Sequence, residues 1–399
     1  TRLPPDVVSY GAASGALQEA WCWGLLLLKK MFVAGIRPNQ VVHTSVATAP
    51  ASTAQWPKAL ALLAMAGASG HDPDQLTYTS SISIFEAPGL WQVALQLFAS
   101  MPIVAARPHI ITYNAVVSTA ATKWDVALQL SSMVSTIPSK PDVITFNATV
   151  SACERTGQWT VAVQKLEEMS SAVLKPDVIT LSSCISAAEK SSFWQLALYL
   201  LEVMRDKHIR ANEVTYNAAI SACEKGGRQW QKALALLAEM PSAEALPNEI
   251  SYNAAISASE KSGEWQWALT LLNSMRASRL RPNTTTFSAA ISACDKARVW
   301  ALAHYLLSEM QNLRIPTNRI TCNASLAACQ KAAQWRIALQ LYDEMPLAAI
   351  LPDETSFTCA IGSCEVSSKQ GQVLELLEAL AESAMSLPLL QRAARSPRV

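Results

Sequence analysis

The stretch "VTYNAAISACEKG" runs from Val214 to Gly226, "ISYNAAISASEKSG" from Ile250 to Gly263, and "ITFNATVSACERTG" from Ile144 to Gly157. A chain that writes one phrase three times is built by repetition, and its period decides the fold. Tryptophans mark that period at Trp23, Trp56, Trp91, Trp124, Trp159, Trp194, Trp230, Trp265, Trp300 and Trp335, with gaps of 33 to 36 residues. A methionine follows each at similar distance, from Met31 and Met65 to Met310 and Met345. Self-similarity at this spacing predicts a solenoid.

Each repeat reads as two helices. In the Val214 copy, Thr215 is expected to cap the first helix through its hydroxyl. Tyr216, Ile220 and Cys223 share one face at i, i+4 and i+7, as do Tyr252, Ile256 and Ser259, and Phe287, Ile291 and Cys294. Gly226-Gly227 closes the helix, and a second stripe of Trp230, Ala233, Leu234, Leu237 and Met240 ends before Pro241. One hairpin cannot bury both stripes, so neighbours must stack. The Trp and Met columns are read as packing residues.

Composition excludes several classes. The 399 residues carry 32 basic and 31 acidic side chains, so no strong overall field draws the chain to an anionic partner. "GLLLLKK" is too short to span a bilayer. Thr1 is not a start methionine, so the chain reads as a fragment or processed form, and the absence of a visible targeting peptide carries no information. Nine cysteines form no CxxC pair, and Cys153, Cys223, Cys294, Cys329 and Cys364 hold the same place in the repeat. That favours small apolar side chains in a reduced compartment over disulfides or zinc. Five scattered histidines make no metal site, and no nucleophile elbow or phosphate loop is present, so neither catalysis nor a cofactor is expected. The sequons at Asn147, Asn283 and Asn323 are read as chance in an Asn-rich repeat.

A tetratricopeptide repeat places its Trp early in the first helix. Here the Trp opens the second helix. The repeat begins with an aliphatic-Thr-aromatic-Asn run and closes on Pro-Asp or Pro-Asn, as at Pro176-Asp177 and Pro247-Asn248. That arrangement resembles the pentatricopeptide repeat family. The resemblance implies an all-α, right-handed superhelical solenoid over residues 7–388. Its repeats fall at about 7–39, 40–74, 75–109, 110–142, 143–177, 178–212, 213–248, 249–283, 284–318 and 319–353, with a degenerate one at 354–388 and a tail at 389–399.

The resemblance also implies a single-stranded RNA ligand read one base per repeat, by the fifth residue and the last. These pairs are Thr44 with Asp74, Thr79 with His109, Asn114 with Asp142, Asn147 with Asp177, Ser182 with Asn212, Asn217 with Asn248, Asn253 with Asn283, Ser288 with Asn318, and Asn323 with Asp353. The implied site is G-N-U-U-A-Y-Y-A-U, where Y is a pyrimidine. Asn and Ser offer donors and acceptors to a base edge, and Asp can only accept where Asn can also donate. The last residue, following Pro, equally fits a turn or helix cap.

Two further columns carry alternatives. Val41, Leu76, Ile111, Ile144, Ile179, Val214, Ile250 and Ile320 are either the family's apolar clamps on base faces or core residues; Thr285 departs from the pattern. Arg155, Lys190, Lys225, Lys261, Lys296 and Lys331 form a basic row suited to phosphates. An acidic residue precedes each except Lys331, and a one-residue offset points the two rows about 100° apart. A competing reading is a helical scaffold that binds a protein in its groove, which predicts a chemically varied groove column. A decayed copy is the third, with Gly11, His43 and His109 at informative places. The family implies an organelle, the plastid before the mitochondrion, and a monomer acting with RNA-processing proteins.

Overall fold

The computed structural model describes residues 75–85, 89–101, 108–120, 123–134 and 141–367, together with positions 13, 26, 30 and 31. Among these residues every extended element is a helix and there is no strand. The chain forms two compact halves, Thr1–Arg210 and Ala211–Val399. Expectations at Val41, Thr44 and Asp74, at the side chain of Leu76, and across most of the first two repeats and the tail lie outside the described residues.

The N-terminal half holds α1 (Gln75–Ser83), α2 (Trp91–Ser100), α3 (Ile110–Thr119), α4 (Trp124–Val134), α5 (Val143–Thr156), α6 (Trp159–Ser171), α7 (Val178–Lys190) and α8 (Trp194–Asp206). The C-terminal half holds α9 (Glu213–Lys225), α10 (Trp230–Glu239), α11 (Glu249–Ser262), α12 (Trp265–Ala277), α13 (Thr284–Lys296), α14 (Trp300–Asn312), α15 (Arg319–Lys331), α16 (Trp335–Leu347) and α17 (Glu354–Val366). A tryptophan opens every second helix, as its spacing predicts. Within each half, first helices stack on the first helices of adjacent repeats (α3 on α1, α5 and α7 together; α9, α11, α13, α15 and α17 in series), and second helices flank them. Each half is an all-α solenoid.

Burial follows the stripes. Tyr216, Ile220 and Cys223 are buried, as are Phe287, Ile291 and Cys294. Met101, Met169, Met204, Met240, Met275, Met310 and Met345 are buried, whereas Met133 lies half-exposed near the end of α4. The tryptophans that open α6, α8, α10, α12, α14 and α16 are half-buried. In the C-terminal half, Trp265 and Trp300 pack against a core that includes Leu272, Phe287, Ile291, Leu306 and Met310. The in-register cysteines are buried and unpaired. Burial pushes the thiols of Cys153, Cys223, Cys294 and Cys329 up to about 11, so they stay protonated and inert at neutral pH.

One local expectation is corrected. Thr215 is not the cap of α9. Asn212 is, accepting the Thr215 amide at 2.9 Å, and Thr215 is fully buried at the third helical position. The α-helix at Trp230 ends at Glu239, before Pro241 as expected. A 3-10 turn over Met240–Ala243 takes the proline in, because its first positions need no amide donor.

Candidate nucleic-acid interface

From Asp142 onward, the last residue of each repeat caps the first helix of the next. Asp142, Asp177, Asn212, Asn248, Asn283, Asn318 and Asp353 all have extended backbone, and each side chain accepts the amide three residues on. This satisfies an amide that the first turn leaves without a helical partner. In five of these caps the third helical residue bonds back to the cap's own amide, closing a reciprocal box. His109 heads α3 without such a bond. The capping alternative is therefore correct for the last column, and it leaves part of each side chain over.

In four repeats the fifth residue reaches that cap across the repeat boundary. Asn114 Nδ2 donates to Asp142 Oδ1 at 3.1 Å, Asn147 Nδ2 to Asp177 Oδ2 at 2.9 Å, Asn217 Nδ2 to Asn248 Oδ1 at 3.3 Å, and Asn323 Nδ2 to Asp353 Oδ1 at 3.1 Å. On the other side of each amide, a hydroxyl from the next repeat donates to its Oδ1. Thr145 does so to Asn114 at 2.7 Å and Thr286 to Asn253 at 2.6 Å; Thr180, Ser251 and Ser356 serve Asn147, Asn217 and Asn323. These hydroxyls belong to the buried third residue, whose interaction with the neighbouring Asn the sequence reading missed. The signal was present: Asp or Asn followed three positions later by Thr or Ser.

The serine variants behave differently. Ser182 donates to Ile179 O at 3.0 Å and Ser288 to Thr284 O at 2.7 Å, so each spends its proton on its own helix and keeps its lone pairs. Thr79 likewise bonds Gln75 O at 2.7 Å, and its hydroxyl lies 2.8 Å from that of Thr112.

Burial tends to raise the Asp142 and Asp177 pKa values. Hydrogen bonds from the cap amide, from the Thr145 or Thr180 hydroxyl and from the paired Asn outweigh it and hold both below the usual aspartate range. Asp353 is held down chiefly by the Thr355 hydroxyl. All three are ionised acceptors at neutral pH.

Ile111, Ile144, Ile179, Val214, Ile250 and Ile320 are 58 to 68% exposed, which removes the core reading for them. They lie three residues before the fifth position, hence beside it on the helix surface. Thr285, in the same column, is also exposed.

The basic row lies eight residues beyond the fifth position, about 12 Å along the helix. Arg155, Lys190, Lys225, Lys261, Lys296 and Lys331 are exposed. The acidic row does not simply point away from it. Lys261 pairs with Glu224 at 3.1 Å, Lys296 with Glu260 at 2.9 Å and Lys331 with Asp295 at 3.0 Å, each acid belonging to the preceding repeat.

A family model described as a pentatricopeptide repeat domain matches residues 139–191 and 166–226. Models described as PPR repeat and PPR repeat family match 214–244 and 247–296. The fold is similar to the crystal structure of the pentatricopeptide repeat protein PPR10 from maize, with TM-score 0.63 and 24% identity over 97% of this chain and 56% of that one. This chain thus spans little more than half the length of that relative. PPR10 in complex with an 18-nt psaJ RNA element matches with TM-score 0.46 and 22% identity, over 94% of this chain and 54% of that one. The PPR domain of Arabidopsis thaliana protein-only RNase P 1, in complex with tRNA, matches with TM-score 0.30 and 12% identity, over 53% of this chain and 95% of that one. No curated protein sequence matches the chain. The helix-pair solenoid thus carries pentatricopeptide repeats recognised between residues 139 and 296.

Proposed function

We propose that the chain binds single-stranded RNA, one base per repeat, and acts by occupying its target without catalysis. The carrying observation is the recurring pair of an exposed aliphatic residue and a polar side chain tied to the next helix cap. An aliphatic surface supports one base face, and polar groups beside it read the edge.

The hydrogen bonds already made define what each pair can still offer. At Asn147 and Asp177 one Nδ2 proton and lone pairs on Asp177 Oδ2 remain, a donor beside an acceptor. Uracil presents the complement, a carbonyl oxygen and N3–H. At Asn217 and Asn248 the cap holds Asn248 Oδ1, and Asn248 Nδ2 already donates to Glu213 Oε1, so each Nδ2 keeps one proton and the pair offers two donors. Those suit cytosine O2 and N3 best. Ser288 keeps an acceptor, and Asn318, whose Oδ1 caps α15, keeps a donor. Adenine N6–H and N1 complement them. Over repeats 75–109 to 319–353 the reading is N-U-U-A-Y-Y-A-U.

The reading extends to organellar RNA processing, stabilisation or translation, in the plastid before the mitochondrion, through the lysine row as phosphate contacts. Selection from a random single-stranded RNA pool with the purified chain tests it. Enrichment of this register supports it; capture of duplex RNA, or of no RNA, overturns it.

A further inference from the structure

Asn253 stands apart from the other fifth-position asparagines. Its amide accepts one side-chain hydrogen bond, from Thr286 Oγ1 at 2.6 Å, and no bond joins it to the cap Asn283. Elsewhere the amide is gripped from both sides: Asp177 receives Asn147 Nδ2 at 2.9 Å while Thr180 donates to Asn147 Oδ1. An amide has a donor end and an acceptor end that differ little in shape, so its partners alone decide which end faces the groove.

We propose that, where a repeat carries asparagine at its fifth position, the third-residue hydroxyl of the next repeat is a specificity-positioning group for it, and that Thr286 is the sole one acting on Asn253. Thr286 is fully buried and reaches no base. Its single proton goes to Asn253 Oδ1, the nearer of two acceptors, the other being Asn283 Oδ1 at 3.0 Å. That turns Asn253 Nδ2 outward as a donor. Without the hydroxyl the amide can flip and present its oxygen, and a pyrimidine acceptor loses its match. The Thr286 backbone amide holds the cap through Asn283 Oδ1 at 3.0 Å, while its hydroxyl oxygen also accepts the Asn283 amide at 3.1 Å, so losing the hydroxyl opens the capping box but leaves the amide bond of the cap in place. The inference rests on the RNA reading above.

The test measures binding of the full chain to RNAs carrying each of the four bases opposite repeat 249–283, with thermal melting alongside. T286V keeps the side-chain shape and the Thr286 amide bond to Asn283 Oδ1 while removing the hydroxyl, and with it the return bond of the capping box. It should lose about tenfold of the pyrimidine preference at that one position, the worth of one well-formed hydrogen bond, and T286S should retain it. T180V should lose clearly less at its own position, because Asp177 still holds Asn147. T286A serves as the second hydroxyl-free variant should T286V melt early. A folded T286V or T286A with wild-type preference overturns the inference, as does an equal loss in T180V or a loss at every position. If the wild-type chain shows no base preference anywhere, the RNA reading itself falls and the inference with it.

Discussion

The ammonium of Lys296 sits 2.9 Å from the carboxylate of Glu260 in the preceding repeat, and the same step joins Lys261 to Glu224 and Lys331 to Asp295. The lysines remain 41% exposed, so each pair is worth no more than about 1 kcal/mol. An RNA phosphate can therefore compete for them. The triple variant K225A/K261A/K296A should weaken all RNA sequences alike and flatten the salt dependence. E224Q/E260Q should do the opposite, strengthening binding at low salt with little loss of stability. If the lysine variant leaves the salt slope unchanged, the row serves only to join repeats.

Asp177→Asn keeps the capping oxygen and exchanges the outward acceptor for a donor. The position read by repeat 143–177 should move from U towards C, while α7 stays capped. Each good base contact is worth about 1–3 kcal/mol, so the swing should be tenfold or more. Affinity for RNAs with U and with C at that position checks it, and a variant that still prefers U contradicts the assignment of Asp177.

Asn253→Ser, beside the existing Asn283, recreates the pairing of Ser288 with Asn318. That one position should shift from pyrimidine towards A, measured by selection or by a four-base panel. A shift at several positions together would show that repeats do not read independently.

The aspartate caps should also leave a mark in acid. Asp142, Asp177 and Asp353 have pKa values lowered by folding, so their contribution to stability is complete above the unfolded value of about 3.9. It is lost as pH falls through the lower folded values. Thermal melting of D142N/D177N/D353N should therefore fall less between about pH 5 and pH 2 than that of the parent, since Asn does not titrate. Parallel curves would mean that these carboxylates contribute nothing through their charge.

The positions of the helices were legible because they depend on neighbours a few residues apart. Trp at the head of each second helix, the Tyr216, Ile220 and Cys223 stripe and the cysteine column all follow from spacing within one repeat, and all are placed as that spacing predicts. The cap was misassigned to Thr215 because Asn and Thr at that distance can each serve as a cap, and a one-turn rule does not choose between them.

The sequence by itself determined the period, the two helices of each repeat, the faces they bury and the residue types available at the reading positions. Tertiary structure alone decided that the aliphatic column from Ile111 to Ile320 lies outside, and which columns meet. Ile144 and Thr145 are adjacent in the chain, yet Ile144 is 61% exposed and Thr145 is buried against Asn114 of the repeat before. Asn147 and Asp177, or Lys296 and Glu260, lie 30 and 36 residues apart and come together only when repeats stack. Local propensity sets the direction of a side chain about its own helix. The rise and rotation from one helix pair to the next set what that side chain touches, and that step is fixed by packing of whole stripes rather than by any single residue.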